Sequence, residues 1–169
     1  MVARCIALVE DFKPRVEDLL DISFHKKKEV AFRAAWMLEY IMMHHPGTFL
    51  PHVPQLLQLL PDQKNPSAMR HYSKIIAMLS NKKADQLYRA MAQELDFEET
   101  IEVLFSWLVD PEVLVATKVH CMQSLANLAP RYSWIKDDLL ETIDYLADVE
   151  SIAFFARAKQ VKKQLNKII

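Results

Sequence analysis

The sequence predicts an all-α solenoid of about four stacked helix pairs. Three observations lead there. Only one of the 169 residues is Gly (Gly47) while eight are Pro, and hairpins and barrels need Gly at their positive-φ turns. Apolar residues recur at helical spacing nearly everywhere, with no sustained alternation rich in β-branched residues, so no strand is expected. A similar stretch also returns along the chain with a period of roughly 40 residues, the repeat length of helix-pair solenoids.

The helices follow in order. The run CIALV lies in the first, over 2–11, and Pro14 opens the second, over 14–22. In the third, over 27–43, Val30, Ala34, Met37, Leu38 and Ile41 share one face. Pro46 then separates it from a leucine-rich helix over 49–60. Pro66 sits at the start of 66–79, where a missing N–H costs nothing. An added helix over 84–95 accounts for one long interval in the repeat. Asp96 with Glu99 reads as a capping box before 97–109, and Asp110–Pro111 as the start of 112–129. Pro130 precedes 132–147, and the last helix covers 151–167.

The repeat itself is seen in VAFRAAWMLEYI (30–41), SAMRHYSKIIAM (67–78), VATKVHCMQSLA (115–126) and FFARAKQVKKQL (154–165). Each carries a base at its fourth place: Arg33, Arg70, Lys118 and Arg157, at intervals of 37, 48 and 39 residues. Asp62, Asp110 and Asp148 precede the last three bases by eight or nine positions, and Ser23 precedes Arg33. A helix pair cannot bury its apolar face alone, so neighbouring units stack.

The stretch LVDPEVLVATKVHCMQSLANL (108–128) resembles a HEAT repeat, with Asp-Pro at the inter-helix turn followed by Val, a basic residue, and small and leucine positions. By extension the chain is similar to a short HEAT/armadillo-like solenoid over most of 23–167. The resemblance implies a right-handed α-α superhelix, forming one domain over 1–169, in which turn acids and second-helix bases form a ladder between units. The Trp-x-Leu-Glu at Trp36–Glu39 also resembles a small uncharacterised helical family, some of whose members carry an adenylosuccinate lyase label. The residues give that label no support, because the lyase signature is a Gly- and Ser-rich mobile loop and this chain has one Gly.

Composition narrows the functions. Hydrophobic residues make up 51% and charged residues 25%, enough for a packed core. A net charge of −1 supplies no global pull towards nucleic acid or anionic membrane. Residues 40–61 lack Asp, Glu, Lys and Arg, but five Pro and Gly residues break them, so no membrane span is expected. Cys5 and Cys121 match no metal or redox spacing, which points to reduced thiols in a cytoplasmic protein. His44, His45 and His52 flank Pro46 as helix-end residues rather than metal ligands. No nucleophile elbow, phosphate loop or cofactor motif is compatible with a single Gly. Catalytic residues, cofactors and metals are therefore expected to be none.

The candidate binding residues are Arg33, Trp36, Tyr40, Arg70, His71, Lys74, Lys118, His120 and Arg157, placed by the repeat on the second helices that line a solenoid's concave face. The four bases form either a structural ladder or a cationic stripe extended by Lys74, Lys159, Lys162 and Lys163. The ridge Phe32, Trp36 and Tyr40 either packs between units or forms an aromatic platform beside Arg33. The function expected is a non-enzymatic scaffold for a protein or peptide partner. The less favoured alternative is a HEAT-like nucleic-acid-binding protein, conceivably related to base repair, using the basic stripe and Trp36. The oligomeric state is not legible.

Overall fold

The computed structural model describes residues 1–168, which contain helices and turns and no strand. The chain begins with α1 (Val2–Phe12), α2 (Val16–Ile22) and α3 (Lys28–His44). It continues through α4 (Pro46–Phe49), α5 (Val53–Leu59) and α6 (Pro66–Leu79). Then come α7 (Gln86–Glu94), α8 (Glu98–Val109) and α9 (Val115–Leu128), and finally α10 (Ile135–Leu146) and α11 (Ile152–Leu165). The fold is an all-α solenoid. Helices α3, α6, α9 and α11 touch in succession as an inner row, while α2 backs α3, α8 backs α9, and α10 lies against α9 and α11. Helix α7 is the added element, wedged against α4 and α6.

The inner row is close-packed because its buried faces carry small residues. On α3, Ala31, Ala34 and Ala35 are fully buried with Leu38, Ile41 and Met42. The buried face is therefore rotated from the expected one, and Val30 and Met37 lie at its edge. Helix α6 buries Ala68, Tyr72, Ile75, Ile76 and Leu79, and α9 buries Cys121, Met122, Leu125 and Ala126. Each large apolar side chain so buried contributes about 1.5–3 kcal/mol.

Three expected elements differ in detail. The helix over 49–60 is divided into the end of α4, α5 and two 3-10 turns, Leu50–His52 and Leu60–Asp62. Pro51, Pro54 and Pro61 have no N–H for the i→i−4 ladder, so the chain keeps its helical curl and changes its hydrogen bonding. Before α9, Asp110 accepts from the Glu112 N–H at 2.8 Å, closing a turn over 111–113 and delaying the helix to Val115. Asp96 accepts from the Glu98 N–H at 3.0 Å and from the Tyr132 hydroxyl at 3.1 Å. It caps α8 without a return bond from Glu99, and the cap is shared with a residue of the next unit.

The acid–base ladder is not formed. Among the described residues Asp62, Asp110 and Asp148 pair with none of the four bases. The Ser23 hydroxyl is bound to Tyr72 at 2.8 Å and donates to the Leu20 carbonyl. Lys118 instead crosses the α9–α11 seam to Glu150, and its side chain is 2% exposed. An ammonium taken that far out of water is tolerated only because the carboxylate comes with it.

This pair yields a stability test. Glu150→Ala leaves Lys118 buried without a counter-charge and is expected to cost about 3–5 kcal/mol in urea unfolding. The double replacement Lys118→Met, Glu150→Leu is expected to recover most of that loss, since a buried pair is often no better than an apolar one of similar volume. A single replacement that leaves the unfolding midpoint unmoved contradicts this account.

Candidate functional site

The site starts at the cap of α6. The Asn65 side chain accepts from the N–H groups of Ser67 and Ala68 at 3.0 and 3.1 Å, and Pro66 occupies the first helical position. With the phase of α6 set this way, its apolar stripe turns into the core. Arg70 and Lys74, four residues apart, share a neighbouring edge.

Beneath that edge lies a buried carboxylate. Glu39 of α3 is 5% exposed, held among the small and apolar residues that bury the helix. His71 Nδ1–H donates to Glu39 Oε2 at 2.6 Å, and Lys74 Nζ donates to Oε1. Burial works to raise the Glu39 carboxyl, but the bonds from His71 and Lys74 outweigh it and hold the group below its ordinary value. His71 Nε2 is buried with no hydrogen-bond partner among the described residues, and the ring lies 5.4 Å from that of Phe32.

His120 of α9 sits beside this assembly. Burial pushes its imidazole down to about 4, and the charges of Lys74, Arg70 and Arg157 push the same way, with Glu39 opposing. Cations from α6 and α11 thus converge on a neutral histidine of α9. The Arg157 guanidinium donates to Gln123 Oε1 at 3.0 Å. Gln123 in turn donates to Asn127 at 2.9 Å and Gln164 at 3.0 Å, and Asn127 donates to the Ala77 carbonyl at 3.0 Å. An amide lattice therefore fixes Arg157 relative to α6 and α9.

Of the sequence candidates, Arg70, Lys74, His120 and Arg157 come together. Lys118 and His71 do not belong to an open stripe: both are buried, the first on Glu150 and the second on Glu39. Lys162 is likewise neutralised, by Asp144. Arg33 lies on the other edge of α3, lining a shallow groove with Arg4, Leu8 and Phe12 of α1. The aromatic ridge divides. Phe32 reaches towards α6, whereas Trp36 is half-buried and stacks on Tyr40 at 5.6 Å. Tyr40 donates to Glu10 of α1 at 2.9 Å and contacts His44 at 4.3 Å. Trp36 is therefore not fully buried between units.

Glu39, Gln123 and Asn127 were not singled out from the sequence. Glu39 had a signal: a carboxylate between Leu38 and Tyr40 on an otherwise apolar face needs a buried cation. Among the described residues no group of three or more His, Cys, Asp or Glu side chains is placed to hold a metal, and no helix is long and apolar enough to cross a membrane.

The His120 environment fixes a pH dependence. Its folded value lies below the ordinary 6.5, so between pH 6.5 and about 4 the unfolded chain binds the extra proton. The contribution is complete above pH 6.5 and is lost as pH falls towards 4. His120→Gln is expected to flatten the decline of unfolding free energy across that window, measured by urea titration at stepped pH. An unchanged decline rejects the assignment.

A family model described as a HEAT repeat domain matches residues 1–165. No curated protein and no solved structure matches the chain.

Proposed function

Because the chain belongs to the HEAT repeat family, we propose that it is a non-enzymatic scaffold that holds a segment of a partner protein along the concave face of its inner helices. HEAT repeats commonly mediate protein interaction, and stacked helix pairs offer a long continuous surface for it. The observation that carries the reading is the convergence of Arg70 and Lys74 of α6 and Arg157 of α11 on His120 of α9 between them. Cations gathered across unit boundaries are costly for folding, since like charges repel, and a bound partner offsets that cost.

The nucleophile candidates favour binding over chemistry. Burial raises the Cys121 thiol, which keeps it protonated and unreactive. The Ser124 hydroxyl is buried and donates to the His120 carbonyl at 2.9 Å. Thr117 is buried as well.

Photo-crosslinking tests the reading. A benzophenone amino acid placed at exposed Ala116 or Gln160, on inner helices α9 and α11, is expected to give a discrete protein adduct in cells. The adduct is expected to fade when Arg70 and Arg157 are both replaced by Glu. Adducts formed only from Glu102 and Glu141, on outer helices α8 and α10, reject it.

A further inference from the structure

The inner-helix face continues into a cleft of about 730 Å³ between the Ser80–Lys83 connection, the end of α9 and α11. Its lining includes Lys82, Lys83, Lys163 and Lys167 and no Asp or Glu. Gln123, Asn127 and Gln164 form the floor, and the hydrogen bond from Arg157 to Gln123 joins this floor to the cluster around His120. Gln160, also on the lining, has no hydrogen-bond partner among the described residues, which leaves its amide free to donate and accept.

Three cations of the inner row are already neutralised. Lys118, Lys74 and Lys162 are each paired, with Glu150, Glu39 and Asp144. Among the described residues, Arg70, Arg157, Lys82, Lys83 and Lys163 take part in no ion pair. The fold leaves a band of unpaired cations that runs from Arg70 and Arg157 into the cleft, whose lining among the described residues holds no Asp or Glu. The Gln–Asn floor is already bonded to itself, so the floor needs no ordering before a ligand arrives.

We infer that this band accepts an extended acidic peptide segment, its carboxylates on Arg70, Arg157 and the cleft lysines and its backbone against the Gln160 amide. The inference rests on the concave-face reading and names the partner's chemistry. Carboxylates pair with guanidinium as two parallel hydrogen bonds, and two arginines on the helices either side of α9 suit separated acidic side chains. A phosphodiester strand fits less well. The stacked aromatic pair that a base would use, Trp36 and Tyr40, lies towards α1 and is bonded to the Glu10 carboxylate.

Fluorescence anisotropy with the full chain tests it. The probes are a labelled peptide alternating Glu with Ser, its counterpart with Gln for Glu, and oligo(dT). The Glu peptide is expected to bind about tenfold or more tighter than the Gln peptide, a gap of about 1.4 kcal/mol. That binding is expected to weaken as salt rises. The triple variant Lys82→Ala, Lys83→Ala, Lys163→Ala is expected to lose about tenfold for the Glu peptide with an unchanged unfolding midpoint. Equal affinity for the two peptides overturns the inference, as does no binding of the Glu peptide at low salt or tighter binding of oligo(dT). Indifference of the Glu peptide to the triple variant overturns it too. A crosslinked partner on Ala116 or Gln160 alongside any of these results removes the acidic-peptide assignment and leaves the concave-face reading standing.

Discussion

The close approach of α6 and α9 is the constraint on which the rest of the structure depends. These two helices share the most extensive interface in the chain, and α9 is also backed by α8, α10 and α11. Their backbones come near enough for the Ser124 hydroxyl to lie 3.4 Å from the Ser73 carbonyl, with both serines fully buried. Asn127 then ties α9 to the last turn of α6 through Ala77 and Ser80. A large side chain at either serine would hold the helices apart and open the core on both sides, because interiors pack without spare volume. The alanines of α3 serve the same end one seam earlier.

Close packing also decides what becomes of charge. A side chain that enters a seam loses its water, so it must bring a counter-charge with it. Glu39 meets His71 and Lys74, and Lys118 meets Glu150. Cations left on the surface of the inner row face no such requirement. In a chain of net charge −1, Arg70 and Arg157 are thus left without a carboxylate partner among the described residues. Burial first, and then the charges of Lys74, Arg70 and Arg157, depress the imidazole of His120.

Helix positions were largely readable because they depend on neighbours in sequence. The spacing of 48 residues announced α7, and Pro66 announced the start of α6. The acid–base ladder was misread for an instructive reason. An Asp eight residues before a base suggests a pair, but Asp110 spends its carboxylate on the Glu112 N–H, as a turn residue does. Lys118 finds a partner 32 residues further on, in a part of the chain with no local mark of the relation. Four residues of the candidate set, Arg70, Lys74, His120 and Arg157, were reached through the repeat. Gln123 and Asn127 were not, since amides without a repeating pattern carry no sign of where they bond.

By itself the sequence determined that this protein is all-helical, that its helices pair and repeat, and that no Gly-dependent catalytic loop is built in. Those properties follow from residue spacing and from what Gly and Pro permit in the backbone. Tertiary structure alone decided which face of each inner helix is closed. It sent His71 and Lys118 inwards, left Arg70 exposed and set Arg157 half-buried on Gln123. It also left Trp36 half-buried against Tyr40 and drew a cleft from the Ser80–Lys83 connection and the distant helix α11. Burial is a property of neighbours in space, and the identity of those neighbours is settled only when the units stack.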